Sequence, residues 1–165
     1  MRLCLAATLP PPAIQSSVTA IVAHRDGSVL FLQPGTSTGT IAHVIVGGRP
    51  EHDESPEETL RREVAEETGW LVEPAAIVGF RHFHHLGPPH PALADRPYPD
   101  FLQPVYAAVA TAHDRDLLLP DETPCDFVDA KWALEVTEVT QRPLLVAALR
   151  ALGASLRGPG REGAA

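Results

Sequence analysis

Cysteine is scarce in this sequence, which has two, Cys4 and Cys125, in 165 residues. They have neither the number nor the spacing of a disulfide framework, and they do not form a paired zinc-binding motif. The sequence therefore excludes a small disulfide-stabilised fold and a structural zinc site. We expect both thiols to be buried or idle.

Long apolar runs are also absent, and no stretch approaches the roughly 20 residues that a membrane-spanning helix needs. The apolar run from Leu3 to Leu9 follows Arg2 and resembles the start of a signal peptide. Three prolines at 10–12 interrupt this run, and no cleavage site of small residues follows. We expect a first strand here, a cytoplasmic protein and no membrane partner.

Basic residues are too few to form a stripe, since 13 Lys and Arg oppose 21 Asp and Glu, giving a formal net charge of −8. This balance argues against long nucleic acid as a partner but is compatible with a small nucleotide that brings its own magnesium. With 44% apolar residues and no internal repeat, the chain suits one catalytic domain over residues 1–152. The glycine-rich residues 153–165 predict a flexible tail.

Acidic residues are concentrated between Glu51 and Glu67, where eight carboxylates and two arginines leave six negative charges. Like charges crowded on one segment repel and raise one another's pKa, so the cluster costs stability unless a cation or a salt bridge offsets it. A divalent metal site is therefore the first hypothesis.

Local signals predict a helix over Pro56–Thr68. Ser55 suits the N-cap, proline suits the first helical position, and Gly69 tolerates the left-handed conformation of a helix C-terminus. The three- and four-residue spacings within this helix place the carboxylates of Glu63, Glu66 and Glu67 on one face. Carboxylate oxygens on one rigid face suit a hard cation such as Mg²⁺, which often shares its shell with substrate phosphates.

The segment from Gly48 to Trp70 resembles the Nudix box, Gly-x5-Glu-x7-Arg-Glu-U-x-Glu-Glu-x-Gly-U, in which U is a bulky apolar residue. Every fixed position is present over these 23 of 165 residues, although tryptophan occupies the last U and Val46 stands where many members have proline. An ion pair between Glu54 and Arg62 would brace the loop against the helix.

The resemblance implies hydrolysis of the diphosphate linkage of a nucleoside diphosphate joined to another group, with water as the attacking group. Mg²⁺, or alternatively Mn²⁺, would be held by Glu63, Glu66 and Glu67 together with the backbone carbonyl of Gly48. The general base would be Glu66 or, from the loop before the last strand, Glu122; an exposed loop acid is the competing interpretation of Glu122. We group Arg62 with these catalytic residues because its ion pair with Glu54 would support the site.

The resemblance leaves other properties open. A nucleotide-sensing module without turnover is the alternative function, although the DNA-binding segment that usually accompanies it has no room here. Family members are often homodimers, which implies a dimer by analogy only. The sequence names no substrate-binding residue.

Apolar and alternating runs predict an α/β protein with the Nudix fold, a mixed sheet sandwiched between helices. The predicted strands cover residues 18–23, 28–33, 41–46, 72–84, 104–111 and 127–134, and a last helix runs from about Thr140 to Leu152.

The segment from Arg81 to Asp100 predicts a long loop with a role in substrate choice, because long loops in compact domains often serve binding. It contains four histidines that could bind a second metal or a phosphate, or lie solvated at the core edge. Phe83, Tyr98 and Phe101 could stack on a base or pack the loop onto the sheet. The four histidines are His82, His84, His85 and His90.

Overall fold

The computed structural model describes residues 1–9, 11, 14–32, 44–89, 97–120, 122 and 124–156. Six strands and three α-helices lie in these ranges, with a 3₁₀ turn at Arg115–Leu117. The elements in chain order are β1 Arg2–Cys4, β2 Thr19–Ala23, β3 Val29–Leu32, α1 Pro56–Thr68, β4 Trp70–His84, β5 Asp100–His113, β6 Cys125–Val128, α2 Ala130–Val136 and α3 Arg142–Leu156.

The six strands form one mixed sheet in the order β1-β4-β5-β2-β3-β6. The β2 and β5 strands are parallel, with Thr19 paired to Val105, and the other neighbouring strands are antiparallel. Outside the strands, Val46 bridges Ala20, which brings the chain before the acidic segment alongside β2.

The sheet separates two hydrophobic cores, because successive side chains of a strand point to opposite faces. On one face, Leu60 and Val64 of α1 are fully buried in a cluster that includes Tyr106 of β5. On the other face, Leu144 and Leu145 of α3 are fully buried. The predicted sheet between helices is therefore confirmed.

The prediction of a strand over residues 127–134 was wrong in its second half, where the chain forms α2. Asp129 ends β6 and caps α2, since its carboxylate accepts the backbone N–H groups of Lys131 and Trp132 at 2.9 and 3.1 Å. Ala133 on the inner face of α2 is fully buried. An apolar run of this length does not distinguish a strand from a short helix, and the cap decides the outcome.

The other boundaries differ less. The first strand ends at Cys4, and β4 and β5 begin earlier than predicted, at Trp70 and Asp100. Residues 33 and 41–43 of the predicted strands lie outside the described residues, and of 44–46 only Val46 forms a bridge.

The last helix begins at Arg142 and continues to Leu156, so the predicted domain boundary between residues 152 and 153 falls inside α3. Gly153 does not end the helix, since an interior glycine costs only about 1 kcal/mol relative to alanine. Residues 157–165 of the predicted tail lie outside the described residues. A search of the described helices found none with the length and apolarity needed to cross a membrane.

Candidate active site

Helix α1 is fixed at both ends by the residues that the sequence indicated. The Ser55 hydroxyl accepts the Glu58 N–H at 3.3 Å, and the Glu58 carboxylate accepts the Ser55 N–H at 2.8 Å, which forms a capping box. Gly69 ends the helix in the left-handed region at φ 71°. The predicted bounds, Pro56–Thr68, are confirmed, and they fix which face of the helix carries its later glutamates.

Arg62 is the hub of the acidic cluster. Its Nε and Nη2 donate to the two carboxylate oxygens of Glu54 at 2.7 and 2.9 Å, a bidentate pair in which the side chains are 22% and 18% exposed. Its Nη1 donates to Glu63 at 3.1 Å and to Glu66 at 3.0 Å. A fifth bond from Nη2 to the Arg49 carbonyl at 2.7 Å ties the preceding loop to α1.

These contacts stabilise the charged form of Glu54. Its pKa is lowered to about 2, first by the hydrogen bond from Arg62, then by the Glu51 N–H and, more weakly, by the Thr59 hydroxyl. Thr59 is fully buried and also donates to the Ser55 carbonyl at 3.1 Å. Thr59 was not among the residues predicted from the sequence, although its position four residues after the N-cap and five after Glu54 was a usable signal.

The glycine pair before the acidic segment brings the backbone against α1. A Cβ on Gly48 would collide with the Glu63 carboxylate, and one on Gly47, at φ 134°, would collide with the Val18 carbonyl. The Gly47 N–H donates to Glu67 at 3.2 Å. The Gly48 carbonyl accepts the Val18 N–H at 2.8 Å, which leaves its second lone pair for another partner.

Among the described carboxylates, Glu67 is the one whose charged form the structure disfavours most. Its pKa is raised to about 7, first by desolvation and then by the charges of Glu63, Glu122 and Glu66, against the opposing effect of the Gly47 N–H. A group in this environment gains from any cation placed beside it.

Glu122 is exposed, yet its loop is attached to α1. The Asp114 N–H donates to the Gly69 carbonyl and the Leu119 N–H donates to the Glu66 carbonyl, both at 2.8 Å. Glu122 comes close enough to Glu67 to contribute to its raised pKa. The structure thus brings the two candidate bases to the same end of α1, with residues 121 and 123 outside the described residues.

The donor set at this face fits a hard divalent cation. It consists of carboxylate and carbonyl oxygens only, the ligands that Mg²⁺ and Mn²⁺ prefer, and their mutual repulsion falls on Glu67. Within the described part of the chain, however, no group of three or more His, Cys, Asp or Glu side chains is already arranged to hold a metal ion. The chemical nature of the donors nonetheless fits such a cation.

The predicted long loop is shorter than the sequence suggested, because residues 81–84 belong to β4 and Asp100 begins β5. The imidazoles of His82 and His84 both bond to Asp100, a partner that the sequence analysis missed, and the ring of His85 stacks with that of Tyr98. His90 lies outside the described residues.

Phe83 of β4 and Phe101 of β5 stack on each other across the two strands, with ring centroids 4.8 Å apart. This contact favours the packing role over base stacking for these two rings.

Comparison with known proteins bears on the family and the fold. The profile of the NUDIX domain family matches residues 13–152. Among solved structures, a MutT protein from Methanosarcina mazei Go1 has 23% identity and a TM-score of 0.56, over 87% of this chain and 97% of its own. A Nudix hydrolase from Nitrosomonas europaea has 18% identity and a TM-score of 0.54, over 88% and 93%. The comparison with curated proteins gave no match.

Proposed function

Because the chain belongs to the NUDIX domain family, we propose that it hydrolyses the diphosphate linkage of a nucleoside diphosphate joined to another group, with Mg²⁺ or Mn²⁺ as cofactor. The observation that supports this most is the environment of Glu67, where desolvation and three neighbouring carboxylates raise the pKa to about 7. That arrangement is costly without a cation and suits one that arrives with a diphosphate.

The proposed metal ligands are Glu63, Glu66 and Glu67, together with the Gly48 carbonyl. A divalent cation bound there would neutralise the diphosphate and lower the pKa of an attacking water. Arg62 has a positioning role in this proposal, because it holds Glu63 and Glu66 through one nitrogen while its other two nitrogens hold Glu54.

Two carboxylates could remove the proton from the attacking water. Glu66 lies on the metal-binding face and is held by Arg62 at 3.0 Å. Glu122 is exposed, and its loop is bonded to the C-terminal end of α1. Removing a general base lowers the rate by about 10² to 10⁴-fold. Because Glu66 is also a proposed metal ligand, the Glu122 variant separates the two.

The test is hydrolysis of a panel of nucleoside diphosphate derivatives with Mg²⁺, by the wild type and by Glu66→Gln, Glu67→Gln and Glu122→Gln variants. Glu57→Gln is the matched control, since Glu57 is an exposed acid in the first turn of the same helix. We expect turnover by the wild type and the control, and a loss of at least about 100-fold in Glu66→Gln and Glu67→Gln, which each lack a metal ligand. A similar loss in Glu122→Gln assigns the base to Glu122, and near wild-type turnover in that variant assigns it to Glu66. A wild type that binds the panel without turnover would overturn the proposal and favour the sensing module.

A further inference from the structure

A second group of polar side chains lies on the same face of the sheet as α1, at a distance from the acidic cluster. Three neighbouring strands contribute to it, because Arg2 of β1 pairs with His82 of β4, and His84 pairs with Asp100 of β5. Along β5, Asp100 and Tyr106 are an even number of residues apart and share a face, and Tyr106 packs in the α1 core.

A cavity of about 430 Å³ is lined by Met1, Arg2, His82, His84 and Asp100. The Asp100 Oδ1 bonds to His82 Nε2 at 2.6 Å and to His84 Nδ1 at 2.9 Å, while the three side chains keep 48%, 30% and 54% of their surface exposed. Hydrogen bonds from the two imidazoles keep the pKa of Asp100 below its usual value, so this carboxylate accepts and both rings donate.

The shared bonds leave several groups for a ligand. Both imidazoles bond to Oδ1, and among the described residues no hydrogen bond reaches Oδ2. The groups that can bond to a ligand here are the second ring nitrogens, His82 Nδ1 and His84 Nε2, the donors of Arg2 and the second carboxylate oxygen of Asp100.

The mixed charge of this cavity selects among ligand classes. A phosphate would meet the Asp100 carboxylate, and a cation would meet the Arg2 guanidinium. A neutral group with several neighbouring hydroxyls can donate to the carboxylate and accept from the guanidinium at once. The volume lies in the range of small-molecule sites, about 300 to 1,000 Å³.

The cavity lies within reach of the acidic cluster. Val18 bonds to Gly48 and precedes Thr19, the partner of Val105, so Pro104 is level with Val18. From Pro104, Asp100 is four residues along β5, or roughly 13 Å, and Gly48 is two strand spacings across the sheet, or roughly 10 Å. The backbone of Asp100 is therefore about 16 Å from that of Gly48. This separation is between backbone positions, and the Asp100 side chain at one end and the cation between the Gly48 carbonyl and a phosphate at the other each occupy several ångströms of it. A sugar joined directly to the diphosphate can therefore reach the cavity.

We propose that the cavity lined by Arg2, His82, His84 and Asp100 binds the sugar that the diphosphate joins to the nucleoside, which makes nucleoside diphosphate sugars the substrate class. This inference rests on the proposed hydrolase function. Asp100 accepts from sugar hydroxyls, and the imidazoles it holds fix its orientation.

The test compares UDP-glucose with the hexyl ester of UDP, which has a similar length but no hydroxyls beyond the diphosphate. The variants are Asp100→Asn and His84→Gln, and the matched control is Asp26→Asn, since Asp26 is also an exposed aspartate paired with a histidine, at 3.5 Å. We expect Asp100→Asn to raise KM for UDP-glucose about tenfold or more, with kcat within about twofold. KM for the hexyl ester should not change, and Asp26→Asn should behave as wild type.

Two results would overturn the sugar site while leaving the hydrolase intact. One is an unchanged KM for UDP-glucose in both variants, and the other is an equal rise for both substrates, which would indicate a structural role. If the wild type hydrolyses nothing in the panel, the proposed function fails instead. In that case the imidazole NMR signals of His82 and His84 decide, since they shift when UDP-glucose is added if it binds here and stay in place if it does not.

Discussion

The bidentate pair between Glu54 and Arg62 should contribute measurably to stability, which a double-mutant cycle with Glu54→Gln and Arg62→Gln can test. The two side chains are about 20% exposed. Exposed pairs contribute roughly 0 to 1 kcal/mol, whereas breaking a buried pair costs roughly 3 to 5. Since this pair is largely covered and joined by two hydrogen bonds, we expect a coupling free energy of about 2 kcal/mol.

The assay is urea unfolding of the wild type, the two single variants and the double variant, in buffer with a chelator so that bound cations do not mask the effect. Arg61→Gln and Glu73→Gln form the control cycle, because that pair has one contact at 3.1 Å between side chains that are 42% and 66% exposed. Its coupling should be about 0.5 kcal/mol or less.

The pH dependence gives a second readout of the same pair. The pKa of Glu54 falls from 4.5 to about 2 on folding. A depressed acid stabilises the folded state in full above its unfolded pKa, so this stabilisation should disappear as the pH falls from about 4.5 towards 2. Glu54→Gln should remove that part of the slope. A coupling below about 0.5 kcal/mol, together with an unchanged slope in the variant, would refute the role assigned to the pair.

Three further predictions follow from single residues. Because the pKa of Glu67 is raised from 4.5 to about 7, metal-free protein should lose roughly 1 to 2 kcal/mol as the pH rises through this window, and calorimetry should show no such loss in Glu67→Gln. Gly48→Ala should displace the Glu63 carboxylate and weaken Mg²⁺ binding about tenfold or more by calorimetric titration; unchanged affinity would contradict the close approach. Asp129→Ala should destabilise the protein by about 1 kcal/mol in urea unfolding, and Asp129→Asn much less, because asparagine also caps helices.

Helix α1 could be predicted from the sequence because the interactions that define its ends are local. Ser55 and Glu58 are three residues apart, and Gly69 needs only its own backbone freedom. The same kind of signal was overlooked at Asp129, where the apolar residues after it favoured a strand although the carboxylate caps a helix.

The environment of the histidines could not be predicted in this way. Asp100 meets His84 only because β4 and β5 are paired in one register, across a segment of 15 residues between the two strands. A register is set by packing of the whole sheet face, so a sequence alone does not show which carboxylate lies opposite which imidazole. The docking of the loop before β6 onto α1, which brings Glu122 near Glu67, is non-local for the same reason.

The folded structure distributes the excess negative charge of the acidic segment unequally. Glu58 is used by the capping box, and Glu54 shares Arg62 with Glu63 and Glu66, so each of these carboxylates has a donor nearby. Among the described residues, Glu67 accepts a hydrogen bond only from the Gly47 N–H, at 3.2 Å, and burial and its neighbours oppose its charge. Arg62 therefore satisfies Glu54, Glu63 and Glu66 and leaves the deficit at Glu67, where Glu122 adds to it. A cation at that end would remove the largest remaining electrostatic cost, which is why the metal is expected beside Glu67 rather than beside Glu54.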